Sequence, residues 1–531
     1  MNNTELADIL LPDSTMTPAQ YETKYPPRKA GIITRFAPSP TGYLHIGGLL
    51  AALVEERIAH QDGGIFYLRI EDTDKKREVE NGVSAIIEAF SGFPIVFDEG
   101  PVDETNEKGA YGPYVQSRRK AIYQAYCKEL LRQGKAYTCF LSEAELEGMK
   151  KDQEKSGVKT GCYGRWARHR DITPDDAKAR IERGEPYVFR LRSSGSDIRR
   201  IEFTDAIRGR IEMPENDFDI VLLKTDGLPT YHFAHAVDDH LMRTTHVIRG
   251  EEWLSSVPVH LELFASLGFN APVYAHISPI MKEDGTSRRK LSKRHDPEAA
   301  VHFYHEAGYP VSSVIEYLMN FIDTGYEEWR AKNPLLPVND FRIDLSRMSV
   351  SGGLFDMQKL ASVSQDVISR TTAEDVYESA LTWAKRYDSP LADILTQRRE
   401  LMLSIFASGR GGPKARKDIA KWSDIPSLYD HFITDDLNMP SPMHEVLVSA
   451  ECRRLLSFIH ERVANTATID SAFVQGILKD AQKEIGVKGK ALYHPIRYAL
   501  TARESGLDLD AIFMILGKER TLSRLKNALE G

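Results

Sequence analysis

Two short segments, far apart in the chain, carry residues suited to handling phosphates: His45-Ile46-Gly47-Gly48 and Lys290-Leu291-Ser292-Lys293-Arg294. The first follows a Pro38-Ser39-Pro40-Thr41-Gly42 turn and opens a predicted helix, whose unpaired N–H groups favour anions, so a triphosphate fits there. Gly47 and Gly48 let an adenine or ribose approach the backbone, and His45 is placed to hydrogen-bond phosphate oxygens as charge develops. The second segment is predicted to lie in a loop with Asp284-Gly285, where Lys290, Lys293 and Arg294 hold a leaving pyrophosphate. Either segment alone is a common helix start or basic loop. It is their order, in a chain that begins strand, turn, HIGG, helix, that points to adenylate chemistry.

The elements that must position these residues can be read from periodicity. Residues 31–36, GIITRF, form a short apolar strand that the proline-rich turn ends. Leu49, Leu50, Leu53, Val54 and Ile58 then recur with the stripe of a helix lying on a sheet, and Gly63-Gly64 ends it. A second strand, IFYLRI, runs into Glu71, completing a strand–helix–strand unit of a parallel, doubly wound sheet. In such sheets ligands lie beyond the carboxyl ends of the strands, where both the turn and Glu71 fall. From about 120 to 225, Lys/Glu/Ala-rich helical stretches alternate with strand-like YVFRLR and DIVLLK, which reads as an inserted module. VIRG and VYAHI around a helical HLELFASLG return to the sheet pattern. Beyond about 300 the chain is predicted almost wholly helical, with Ile512, Ile515, Leu516, Leu522, Leu525 and Leu529 at helical spacing.

At 531 residues the chain is expected to hold roughly three to five domains. Hydrophobic residues make up 42% and charged residues 27%, with no apolar run near the roughly 20 residues that cross a bilayer, so no membrane association is expected. The polar, acidic first twenty residues lack the features of secretory or mitochondrial leaders, and four scattered cysteines argue against a disulfide framework; the expected location is cytoplasmic. A net charge of −8 rules out a chain-wide electrostatic surface for nucleic acid, so any RNA contact must use local patches. Three exist: Arg288 to Arg294; Arg410, Lys414, Arg416, Lys417 and Lys421; and Lys518, Arg520, Arg524 and Lys526.

The paired motifs resemble the HIGH and KMSKS signatures of class I aminoacyl-tRNA synthetases, and the chain resembles, over nearly its whole length, the glutamyl-tRNA synthetases of bacterial and organellar type. The resemblance is carried by TRFAPSPTG (34–42), LRIEDTD (68–74), GPYVQS (112–117), DGLPTY (226–231), VDDHLM (237–242), THVIRGEEW (245–253), GKALYHP (489–495) and GKER (517–520). It implies an α/β Rossmann-type catalytic domain with an inserted α+β acceptor-stem module, followed by all-α anticodon-binding domains. The implied boundaries are an N-terminal extension at 1–29, catalytic halves at 30–120 and 227–284, the insert at 121–226, a KMSKS loop and stem-contact region at 285–370, and helical domains at 371–531. No function is assigned to the extension.

A glutamate pocket must satisfy two carboxylates and one ammonium, which calls for two cationic groups and an anion. By resemblance, Arg35 with Tyr231 binds the side-chain carboxylate, Arg249 the α-carboxylate, and Glu71 with Ser39 the amino group, with His235 at a variable family position beside them. ATP, accompanied by Mg²⁺, is expected at Pro38, Ser39, Thr41, Gly42, His45, Gly47, Gly48, Lys290, Ser292, Lys293 and Arg294, with Lys293 the leading catalytic residue and His45 the second. Arg410, Lys414, Arg416 and Lys417 are expected to face the RNA. The implied partners are tRNA(Glu) and L-glutamate, with no obligate protein partner. Glutaminyl enzymes open with PPEPNG where this chain has APSPTG; a short paralogue lacks the distal half; a silent tRNA-binding copy would be expected to lose some of these residues. Charging of tRNA(Gln) as well remains an open alternative.

Two metal sites come to mind and neither is expected. His232, His235 and His240 lie near Asp238 and Asp239, but at a spacing that fits no ligand motif. Some relatives bind zinc in the insert through Cys-x-Cys and Cys-x-His; here Cys139 stands alone, with Leu141, Trp166 and Arg168 at the other positions, so no structural zinc is expected.

Overall fold

The structure is a computed structural model describing all residues except 13–15, 41–43, 75–80, 293, 411–414 and 531. It divides into two compact units, one of Met1–Phe303 with Leu318–Asp356, the other of Tyr304–Tyr317 with Met357–Gly531.

In the first unit the central strands are β1 (Ile33–Phe36), β2 (Ile65–Leu68), β3 (Arg200–Asp205), β4 (Gly209–Pro214), β5 (His246–Gly250) and β6 (Val273–Ile277). β1 and β2 pair in parallel, Ile33 opposite Ile65 through Phe36 opposite Leu68. β5 flanks β1 on the other side, where the Thr245 N–H donates to the Ile33 carbonyl at 3.0 Å and its hydroxyl accepts from the Ile33 N–H at 2.8 Å. β5 and β6 continue in parallel, β3 joins β6 at Tyr274 opposite Asp205, and β4 closes the edge antiparallel. Every residue of β1 is buried, as expected of a strand covered on both faces.

The crossover from β1 to β2 is α1 (Ile46–His60). His45 caps it, its Nδ1 accepting from the Gly47 N–H at 2.9 Å, and Ile46, Leu49, Leu50, Leu53, Val54 and Ile58 lie buried on the sheet. The return to β2 needs glycine: a Cβ on Gly64 would sit 1.8 Å from the Ile32 carbonyl oxygen. The second crossover helix, α2 (Tyr231–Leu241), buries Phe233, Ala234, Val237 and Leu241, and with them three charged or ionisable side chains, His235, Asp238 and Asp239. The apolar face holds the helix down; the buried polar residues show that one flank of it serves the site.

The inserted segment folds as α+β. An antiparallel sheet of Ala136–Cys139, Val188–Leu191 and Val221–Leu223 lies with the helices Glu143–Lys155 and Pro174–Glu182. β3, which lies within the same stretch of sequence, instead joins the catalytic sheet and brings Asp205 to it. The first helices, Asn3–Leu10 and Pro18–Lys24, each start with a capping box, Asn2 with Glu5 and Thr17 with Gln20. They bury Leu6, Leu10, Tyr21 and Tyr25 in the core that also holds Tyr123, Leu130 and Phe233. Arg28 then forms a two-pronged pair with Glu99, 2.7 Å on each arm, and donates to the Met242 carbonyl.

The basic segment read as a loop begins as a hairpin. Met281–Asp284 and Ser287–Lys290 pair antiparallel about Gly285, which takes φ +62°. SRRK has no apolar alternation to betray a strand, so periodicity could not reveal it.

The described residues of the second unit form helices and their connecting loops, with no strand, as the tail's spacing predicts. Its core gathers Val376, Leu395, Phe406, Leu455, Ile496, Ile512 and Leu525 among others. The final helix, Leu509–Glu530, is broken at Gly517, whose φ of 69° only glycine adopts freely.

Candidate active site

Beyond the carboxyl ends of β1, β2 and β5 opens a cleft of about 550 Å³ in the first unit. Arg35, Ser39, His45, Gly47, Gly48, Glu55, Glu71, Tyr231, Arg249, Trp253 and Lys290 are among the residues lining it. The two phosphate-suited segments and the carboxylate-reading set therefore meet in one space. Of the other anticipated residues, Pro38 accepts the Glu71 N–H at 3.0 Å through its carbonyl, and His235 lies fully buried against Tyr231, its ring 6.0 Å away, outside the lining. Ser292 donates its N–H to Asp296, and Arg294 is exposed. Thr41, Gly42, Lys293 and Lys414 lie outside the described residues.

Arg249, at the end of β5, is 7% exposed and its four donor contacts all go to neutral groups. Nε donates to His276 Nε2 at 3.1 Å, Nη1 to the Tyr231 hydroxyl at 3.2 Å, and Nη2 to the Trp253 carbonyl at 3.2 Å and to His260 Nδ1 at 3.3 Å. Among the described residues no carboxylate pairs with it directly. Its nearest counter-charge is relayed: because His276 Nε2 accepts, its proton is on Nδ1, which donates to Asp205 Oδ2 at 2.6 Å. Burial works to raise the Asp205 carboxyl, but His276 and the N–H groups of Arg208 and Ile207 bring it below its ordinary value. A buried guanidinium held by neutral partners is a ready seat for a substrate carboxylate.

The same logic fixes two more histidines. His260 Nδ1 accepts from Arg249, so its Nε2–H donates to His232 Nδ1 at 2.9 Å, and the outer His232 nitrogen carries a proton. Burial, helped by Arg249, lowers His232 to about 4 and holds His260 well below its ordinary range, so both stay neutral.

On the β1 side, the Arg35 and Arg69 guanidiniums share Asp239, at 3.2 and 2.7 Å, and Arg69 also reaches Glu71 at 3.1 Å. Burial acts to raise Asp239, yet Arg69 and Arg35 hold it well below the usual carboxylate range. His235 Nδ1 lies 2.7 Å from the other Asp239 oxygen and its Nε2 3.0 Å from the Tyr274 hydroxyl; burial lowers this imidazole to about 3. Glu55 of α1 completes the group, 3.6 Å from Arg35. Sequence reasoning did not single out Glu55, Arg69, Asp205, His260 or His276. The usable signals were a glutamate inside an otherwise apolar helix stripe and an arginine in a strand that should be buried.

His45 accepts at Nδ1, so a neutral ring carries its proton on Nε2. A Cβ on Gly47 would come 3.2 Å from that ring nitrogen, so this glycine makes room for His45 as well as for a ligand. The hairpin carrying Lys290 is anchored by the buried Asp296, which accepts from Arg289 at 2.5 and 2.8 Å, Lys282 at 3.0 Å and the Ser292 N–H at 3.0 Å. Lys290 lies 3.5 Å from Glu252.

Elsewhere, the basic clusters are partly turned inward. Arg410 donates to the Ile368 carbonyl, Arg416 to the Ile405 carbonyl and the Tyr429 hydroxyl, and exposed Lys417 pairs with Asp366. In the insert, Cys139 Sγ is 3.9 Å from His169 Nδ1, while Asp219 gathers Tyr137, Arg170 and the Ser193 N–H. Among the described residues no three His, Cys, Asp or Glu side chains cluster as a metal site, and no helix is long and apolar enough to cross a membrane.

Residues 31–361 match the catalytic domain of the class I tRNA synthetases (E and Q), and residues 390–529 match an anticodon binding domain. A glutamate–tRNA ligase of Clostridium perfringens (strain SM101 / Type A) is 46% identical over 556 aligned positions covering all of both chains, and one of Acetivibrio thermocellus is 41% identical over the full length of both. Among solved structures, a glutamate tRNA ligase of Elizabethkingia meningosepticum, crystallised with its amino acid, superimposes with a TM-score of 0.79 at 29% identity, covering 94% of this chain and 99% of that one.

Proposed function

Since the chain belongs to the class I tRNA synthetases of the E and Q kind, we propose that it attaches L-glutamate to tRNA(Glu) in two steps at the cleft described above. An α-carboxylate oxygen of glutamate attacks the α-phosphorus of ATP, expelling pyrophosphate and giving glutamyl-adenylate. A hydroxyl of the tRNA 3′-terminal ribose then attacks the acyl carbon, and AMP leaves. No covalent bond to the protein forms, so catalysis rests on orientation and on stabilising charge.

The observation that carries this reading is Arg249, a buried cation held by neutral acceptors and open to one carboxylate. In this reading it takes the α-carboxylate, while Arg35 and Tyr231 take the side-chain carboxylate and Glu71 with Ser39 the ammonium. His45 donates through Nε2 to phosphate oxygens, Gly47 and Gly48 pass under the nucleotide, and Lys290 with Lys293 receives the pyrophosphate. Mg²⁺ enters with the phosphates. The inserted module serves the acceptor stem, and the helices beyond residue 371 serve the anticodon arm, with Arg410, Lys414, Arg416 and Lys417 the cluster that faces the RNA. A reducing, cytoplasmic setting suits four buried, unpaired cysteines.

Charging of radiolabelled glutamate and glutamine onto total tRNA tests the assignment. Glutamate should be attached in an ATP-dependent manner; attachment of glutamine, or of neither, would sink it.

A further inference from the structure

Glu55 has no role in the chemistry set out so far, yet it lines the cleft and its side chain is only 2% exposed. Its Oε1 is 3.6 Å from Arg35 Nη1, beyond a hydrogen bond, and its Oε2 has no hydrogen-bond partner among the described residues. Three charged groups face it: Arg35 from β1, Arg69 from β2 and Asp239 from α2. The two guanidiniums already share Asp239, and Arg69 also holds Glu71, so two cations meet two carboxylates there. An ionised Glu55 would be a third carboxylate, without a hydrogen bond, at the spot where a substrate carboxylate arrives.

We propose that Glu55 works as a neutral carboxyl that donates its O–H to the side-chain carboxylate of bound glutamate, making it a specificity-determining residue beside Arg35. This rests on the proposed glutamate-activating function. Burial, the largest influence on the group, pushes the Glu55 carboxyl well above its ordinary value against the pull of Arg35, in keeping with the neutral form. The proton serves two ends. It removes a repulsion between two acidic groups, and it supplies a donor for one oxygen of the substrate carboxylate while Arg35 donates to the other, a pair of donors that glutamine, with a single amide oxygen, cannot accept at both positions.

The test compares the full-length wild type with Glu55→Gln and Glu55→Met in tRNA charging, titrating glutamate and ATP separately. Glutamine at this position keeps an N–H donor and methionine keeps only the volume, so both should fold. Glu55→Gln should hold the KM for glutamate within about threefold of wild type, and Glu55→Met should raise it about tenfold or more, the cost of a lost hydrogen bond to a charged group, with the KM for ATP unmoved. The preference for glutamate over glutamine should fall with Glu55→Met and persist with Glu55→Gln. A Gln variant as impaired as the Met variant would show that a carboxylate was needed and overturn the proposal, as would a Met variant with wild-type KM. If the wild type charges no glutamate the proposed function fails; if it does and the two variants behave alike, only this inference fails.

Discussion

Replacing Asp205 with asparagine should loosen Arg249 without touching either cleft residue or ligand. Asp205 accepts the Ile207 and Arg208 N–H groups through Oδ1, at 3.0 and 2.9 Å, and His276 Nδ1–H through Oδ2. An asparagine that keeps both backbone bonds must turn its NH₂ toward His276; the opposite orientation forfeits them. The imidazole then accepts at Nδ1, its proton moves to Nε2, and two donors, Nε2–H and Arg249 Nε–H, oppose each other at 3.1 Å. Arg249 loses a fixed acceptor and the relayed negative charge together. Hydrogen bonds to charged groups are worth about 1.5–3 kcal/mol, so the KM for glutamate should rise about 10- to 100-fold. The KM for ATP should stay put, as should inhibition by a glutamate analogue lacking the α-carboxylate. The assay is ATP–pyrophosphate exchange with tRNA present. A KM for glutamate within a factor of about two of wild type would refute the relay, since a tenfold effect is the smallest the bond energy allows.

Lys293→Ala should cut pyrophosphate exchange by a factor of about 10² or more, the usual loss for one transition-state donor, leaving the KM for glutamate unchanged; unaltered exchange would remove Lys293 from the mechanism. His60 is held by Glu56 and Asp98, each at 2.8 Å, and Glu56 first, then Asp98, raise it to about 9. Its folded value lies above the unfolded 6.5, so the stability it adds is full below about 6.5 and fades as pH rises through about 9. Thermal melts of wild type and His60→Gln should therefore differ most at pH 6 and converge by about pH 10, and an equal gap at both would contradict the ion-pair account.

The local architecture was legible because its signals are local. The strand, helix and strand at 33–68 follow from apolar spacing and Gly63-Gly64, and the helical tail from the run ending at Leu529. Arg35, Glu71, Tyr231 and Arg249 came to notice through resemblance, and the cleft brings all four together. What escaped was whatever depends on distant partners. Arg35 and Asp239 are 204 residues apart, and Asp205 and His276 are 71 apart, so no window could join them. How far a basic cluster turns inward was hidden for a related reason: Arg520 and Arg524 satisfy the carbonyls of Phe432, Thr434, His431 and Leu500, and open carbonyls leave no mark in a sequence.

The helices at the start of the chain impose an order in time. Glu22 binds Arg243, 221 residues away, and Arg28 binds Met242, 214 away. At a synthesis rate of about 5–20 residues per second, these first segments leave the ribosome roughly ten to forty seconds before their partners exist. Over that interval Leu6, Leu10, Tyr21 and Tyr25 have only Tyr123, Leu130 and their neighbours to cover them, and then only once those are made. These ties cannot form until Met242 and Arg243 have emerged, so a ribosome stalled before residue 240 should carry a nascent chain whose leading helices are open to proteases and chaperones.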